Sequence, residues 1–250
     1  MNFSATGQVF LTGLVFARVA AMVMLVPGLG ESPAPARIRI AFAFLVALVI
    51  APIAAPTIPV VPQALSDLGL AVIREILIGL MIGAILRMFL GALAAAGEII
   101  SIQTTLSFAQ TANPAFGQGG SSIGAFLSLL GVVLVMTTDL HHMFLGAMAR
   151  SYTLFPFTRP LPVQDSTALA IQTFSGAFTL GVQLSAPIMV FSLVFNIATG
   201  LIGRAMPQFQ IFFAATPLQL LLGLSLFALS LGVIGMIWVD HYRDLLANFA

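Results

Sequence analysis

Six stretches of the chain are apolar almost without interruption: Gly7 to Val26, Ile38 to Ile58, Leu68 to Ile102, Ile123 to Met148, Ala168 to Ile202 and Ile211 to Val239. A helix rises about 1.5 Å per residue and bilayer hydrocarbon is about 30 Å thick, so about 20 apolar residues make a span. The pattern therefore predicts six helical segments, as membrane spans or, alternatively, in part as hairpins inserted into a larger assembly. The third and fifth runs hold 35 residues each, about 50 Å of straight helix, and neither fits a bilayer upright. They must tilt and protrude, or break. Pro52, Pro187 and Pro217 each remove a backbone donor inside a run, so bent or broken helices are expected. Backbone freed by a break has to be buried against protein or water. No Lys or Arg precedes the first run and no small-x-small cleavage site follows it, so it is not read as a signal peptide.

Composition removes whole classes of function. The 250 residues are 60% hydrophobic and 7% charged, with a mean hydropathy of +1.10, where soluble chains carry about a quarter charged residues. A soluble enzyme is excluded. Net charge is +1, so no basic stripe exists to bind nucleic acid by counterion release. Without cysteine there is neither a disulfide framework nor a thiolate nucleophile. Six spans would put Arg37, Arg39 and Arg204 on one side and Arg150, Arg159 and Arg243 on the other, which leaves orientation open.

Charge inside an apolar run marks where chemistry or assembly is expected. The third run holds Arg74, Glu75, Arg87 and Glu98, each costing about 2.5–3.5 kcal/mol at bilayer depth unless partnered or wet. Arg74 and Glu75 are neighbours and point apart. Arg87 and Glu98 return to nearly one face three turns apart and cannot pair. Gly79, Gly83, Arg87, Gly91 and Ala95 form a stripe at i, i+4, and Gly79 to Gly83 is a GxxxG step that admits close helix contact. Thr137, Thr138, Asp139, His141 and His142 form a polar cluster at a helix end. A metal site needs three or four converging ligands, and these spacings do not share one helical face. The cluster is read as an interfacial cap, with a proton relay as the alternative. No nucleophile, metal-protease or phosphate-cradling motif is present, so neither catalysis nor a cofactor is expected. Leu106 to Ser122 carries no charge, and Asn113, Pro114, Gly117, Gly119 and Gly120 signal turns. By composition it reads first as a plain surface linker, and alternatively as a segment that fills a pore without presenting a fixed charge to what passes.

Three ordered stretches give the pattern specificity: Gly30 to Ala41, with prolines ahead of Arg37; Glu75 through Gly79 and Gly83 to Gly97, Glu98 and Gln103, followed by the charge-free segment; and Gly200 to Phe212, containing Arg204, Pro207 and Gln208. In this order they resemble the flagellar biosynthetic protein FliR family of type III export apparatus membrane components, over essentially the whole chain. The resemblance implies an all-α membrane protein of about six long, bent or broken helices forming hairpins in a larger helical export-gate assembly. It implies a FliP-like part over residues 1–165 and a FliQ-like part over 166–250. The implied partners are FliP and FliQ, then FlhB and FlhA, with unfolded flagellar proteins as cargo and the bacterial inner membrane as location. It maps a channel plug onto Leu106, Ser107, Phe108, Ala109, Gln110, Thr111, Ala112, Asn113, Pro114, Ala115, Phe116, Gly117, Gln118, Gly119 and Gly120. For Glu75, Arg87, Glu98 and Arg204 it implies buried pairing between helices or subunits. An injectisome subunit and, further off, a small-solute secondary transporter are the alternatives.

Overall fold

The computed structural model describes residues 5–26, 35–57, 61–62, 64–111, 121–157, 163–206, 208 and 210–247. Every regular element among them is helical: α1 Ala5–Val23, α2 Ala36–Ala54, α3 Leu65–Gln103, α4 Leu106–Thr111, α5 Ser122–Thr137, α6 Leu140–Leu154, α7 Val163–Ala205 and α8 Ile211–Ala247. A single 3₁₀ turn, Ala55–Thr57, extends α2. Four helices are long and apolar enough to cross a membrane, and a fifth span follows if α5 and α6 are taken as one bent element. The chain thus has the character of a multi-pass membrane protein.

The six apolar runs map onto these helices, but the breaks fall elsewhere than expected. Helix α7 is unbroken through Pro187 and α8 through Pro217. Pro52 lies in the last turn of α2, where Ala55 N–H still reaches Ala51 O. A proline interrupts one hydrogen bond, and 43 residues of α7 leave ample others to carry the helix across it. The fourth run is the one that breaks, with α5 and α6 bent by 77°. Its cause is Asp139, which adopts φ 58° and ψ 16°, a left-handed conformation that cannot continue a right-handed helix. Helices α3, α7 and α8, of 39, 43 and 37 residues, are about 55–65 Å long and overrun the hydrocarbon.

The chain divides into two compact units, each made of separated segments. The first comprises residues 1–89, 136–174 and 242–250. In it α1 packs on α2, with Phe16 and Phe44 edge to face at 5.9 Å. Leu14, Val15, Val19 and Met22 of α1, Ile78, Ile82 and Ile85 of α3, and Tyr152 of α6 are fully buried. The second comprises residues 90–135 and 175–241. Its interior holds Leu93, Ala96, Ile100, Leu127, Leu184, Ile188 and the chain's one tryptophan, Trp238. Close approach in both units depends on missing side chains. A Cβ on Gly79 would collide with the Arg18 carbonyl oxygen, and one on Gly83 would stand 3.0 Å from the Leu25 Cβ. The GxxxG step is therefore the α1–α3 contact. In the second unit Gly97 lies against the backbone of Gly124, so α3 and α5 touch main chain to main chain.

Candidate functional site

Two constellations of polar side chains organise the units. The first is built on Arg18, which lies in the middle of α1 and is fully buried. Its Nε donates to Glu75 Oε2 at 2.6 Å. Its Nη1 donates to the Ser151 carbonyl at 2.9 Å and the Ser151 hydroxyl at 3.3 Å, and its Nη2 to the Phe155 carbonyl at 2.9 Å. The guanidinium also lies 4.2 Å from the Tyr152 ring centroid and 5.5 Å from that of Phe157, adding cation–π attraction in a dry site. Arg74 reaches the same stretch, donating to Phe157 O at 2.6 Å and Pro156 O at 2.9 Å. Helix α6 ends at Leu154 and leaves carbonyls without intrahelical partners. Ser151 O still takes Phe155 N–H, and the two guanidiniums add bonds to it and to the carbonyls of Phe155, Pro156 and Phe157 just beyond the helix, while the cations complement the negative end of the helix dipole. The adjacent Arg74 and Glu75 have different partners, Arg74 the Pro156 and Phe157 carbonyls and Glu75 the Arg18 guanidinium, beside the same stretch of chain.

The second constellation brackets the glycine-rich segment from its described flanks. On the far side, Ser121 is the N-cap of α5: its hydroxyl accepts from Gly124 N–H at 2.9 Å and its carbonyl accepts from Ala125 N–H. In a capping box the third helical residue would reach back to the cap's own N–H, but here that residue is Gly124. Glu98 of α3 does so instead, accepting from Ser121 N–H at 2.6 Å. The Gly97–Gly124 contact makes this reach possible. On the near side, α3 ends at Gln103. Thr104 Oγ1 returns to Ile100 O at 2.9 Å, and Gln219 of α8 donates to Gln103 O at 3.0 Å and to Ser192 Oγ of α7 at 3.4 Å. Gly223 sits so close to Thr104 that an added Cβ would stand 2.7 Å from its Cγ2. Thr105 then turns the chain with φ 62°, an outlier for a β-branched residue.

Several expectations change against this geometry. Leu106, Ser107, Phe108, Ala109, Gln110 and Thr111 form α4 rather than loop. The Thr105 turn starts a new helix, with Phe108 N–H bonding Thr105 O, and the proline and glycines that discourage helix come later. Ala112, Asn113, Pro114, Ala115, Phe116, Gly117, Gln118, Gly119 and Gly120 lie outside the described residues, as does Pro207. Glu75 is buried and ion-paired, but with Arg18, which the sequence reading passed over. The signal was present, since Arg18 is an ionisable residue inside an apolar run. Glu98 is half-buried and meets a backbone N–H, with no cation paired to it among the described residues. Arg37, Arg87, Arg204 and Gln208 are exposed, so the chain itself does not bury them. Gln103 contributes its backbone carbonyl. Of the glycine stripe, Gly79 and Gly83 are packed, while Gly91 has open space around it.

The comparisons with known proteins agree on one family. Residues 9–245 match the bacterial export proteins, family 1. The flagellar biosynthetic protein FliR of Caulobacter vibrioides is 59% identical over 250 residues, covering the whole of both chains. That of Escherichia coli is 32% identical over 214 residues, 84% of this chain and 80% of the relative. That of Bacillus subtilis is 27% identical over 246 residues, 94% of this chain and 93% of the relative.

Proposed function

The chain belongs to the bacterial export proteins, family 1, and from that premise we propose that it is a non-enzymatic, pore-forming subunit of the flagellar type III export gate in the bacterial inner membrane. Full-length identity of 59% to a flagellar biosynthetic protein carries the reading. In it the chain assembles with FliP and FliQ, contacts FlhB and FlhA, and helps unfolded flagellar proteins leave the cytoplasm. The physical support is surface that one chain leaves uncovered. In the most apolar windows of α7 and α8 only 17% and 22% of residues are buried inside the chain. Faces of that kind suit lipid or neighbouring helices of an assembly.

Leu106 to Gly120 is the plug of this gate. Glu98 and Ser121 fix the start of α5 beyond it, while Gln219 and Gly223 fix the end of α3 before it. A plug that yields to cargo and returns needs firm anchors on both sides, and both described flanks have them. Its lack of charge leaves nothing to trap a passing polypeptide electrostatically. Secretion of hook protein and flagellin into the medium tests the export role: a clean deletion strain should lose it, and the returned gene should restore it. Undiminished secretion by the deletion strain overturns the reading. Removing Ala112 to Gly120 should leave the gate assembled but leaky to ions, and an assembled gate with unchanged membrane permeability overturns the plug.

A further inference from the structure

Asp139, His141 and His142 stand together at the break between α5 and α6, and the export role makes no use of them. Along a continuous helix, residues at i, i+2 and i+3 do not share a face, which argued against a metal site. The break removes that objection. Asp139 precedes α6 in a left-handed conformation, and His141 and His142 lie in the first helical turn, where Cα–Cβ bonds tilt toward the helix N-terminus. One ligand atom from each of the three residues lies within 4.8 Å of the others. His142 Nδ1 is already 3.7 Å from Asp139 Oδ1, and the two imidazole rings are 4.1 Å apart, tilted by 37°. His141 Nδ1 is buried with no hydrogen-bond partner among the described residues, an acceptor or donor left unused.

We infer that Asp139, His141 and His142 bind a divalent transition-metal ion of the zinc class. Zinc bonds to nitrogen and carboxylate oxygen of about 2.0–2.2 Å put tetrahedral ligand atoms about 3.3 Å apart. The histidine–aspartate pair needs to close by only a few tenths of an ångström, and side-chain rotation of the exposed Asp139 and His142 toward the half-buried His141 covers the remainder. Two imidazoles and a carboxylate suit zinc, copper or nickel, whereas magnesium and calcium take oxygen ligands. Three protein ligands leave a position for water. The ion would fasten Asp139 to the first turn of α6 and so hold the conformation that produces the break.

The test uses the full chain, purified in detergent with a tag free of histidine and stripped with a chelator. Zinc is titrated against a chromophoric competitor, and cobalt is added separately to read coordination from its visible spectrum. One zinc per chain is expected, together with the visible bands of low-coordinate cobalt. Removing a partner of a metal ligand weakens affinity by about 10–100-fold, so losing a ligand should weaken it at least tenfold. Asp139→Gly suits the left-handed backbone and keeps the fold while deleting the carboxylate. His141→Ala and His142→Ala each delete an imidazole. His241 lies elsewhere, on α8, with Nδ1 2.8 Å from Ile237 O, and His241→Ala should bind as the parent does. Absence of stoichiometric zinc from folded parent protein overturns the site, as does unchanged affinity in folded Asp139→Gly.

Discussion

Glu98 reaching the N-cap of α5 has a measurable size. If its carboxylate neutralised a buried cation, removing it would cost about 3–5 kcal/mol. Instead it accepts one backbone N–H at 2.6 Å from a half-buried position. A hydrogen bond to a charged group contributes about 1.5–3 kcal/mol, and a neutral one about 0.5–1.5. Glu98→Ala should therefore destabilise by about 1.5–3 kcal/mol. Glu98→Gln keeps an acceptor oxygen and should lose roughly half as much. Ser121→Ala, which deletes the hydroxyl on Gly124 N–H, should cost about 0.5–2 kcal/mol. The assay is unfolding of the purified chain in mixed dodecyl maltoside and SDS micelles, followed by fluorescence. Trp238 is the chain's one tryptophan, is fully buried and belongs to the same unit. A loss in Glu98→Gln equal to that in Glu98→Ala, near 3–5 kcal/mol, would refute capping and restore the ion pair.

The same unfolding assay, read by circular dichroism so that both units are seen, checks the packing of the first unit. Gly79→Ala drives a methyl into the backbone of α1 and should cost about 1–3 kcal/mol. Gly91→Ala, three turns along the same stripe in open space, should be neutral or stabilise by up to about 1 kcal/mol; equal effects at the two sites would count against the contact. Arg18→Met strands the buried Glu75 carboxylate and should cost about 3–5 kcal/mol, and adding Glu75→Leu should recover part of that loss. A double variant no more stable than Arg18→Met alone would show that the carbonyls of α6, rather than Glu75, are what Arg18 serves.

Which helices exist was legible in the chain, and where they break was not. Runs of about 20 or more apolar residues have one low-energy solution in lipid, because only helices and closed barrels satisfy their own backbone there. Hence the runs at Leu68 to Ile102 and Ala168 to Ile202 became single helices. A proline is a weaker signal, since its cost is local and a long helix keeps its other hydrogen bonds, as at Pro187. The break at Asp139 arises from a backbone conformation that an aspartate can adopt and that periodicity cannot reveal. The Gly79–Gly83 step was readable because small-residue spacing encodes contact directly. Arg18 was as readable as Glu75, but its partners are 57 and 133 residues away, and separation of that kind leaves no local trace. Glu98 stood out as a charge in an apolar run. Its acceptor role could not be read, because the donor is main chain and every residue but proline has one.

Arg18 also imposes an order on biogenesis. The first helix is made long before the groups that neutralise its arginine, since Ser151 and Phe155 follow it by 133 and 137 residues. At about 5–20 residues per second, that interval is roughly 7–27 s. Through it the guanidinium has neither Glu75 at first nor the α6 carbonyls later, and an arginine in that state is held by water and headgroups. Helix α1 is accordingly synthesised well before its partners and settles only after them, and the nascent chain passes through a state in which this helix waits at the membrane surface for α6.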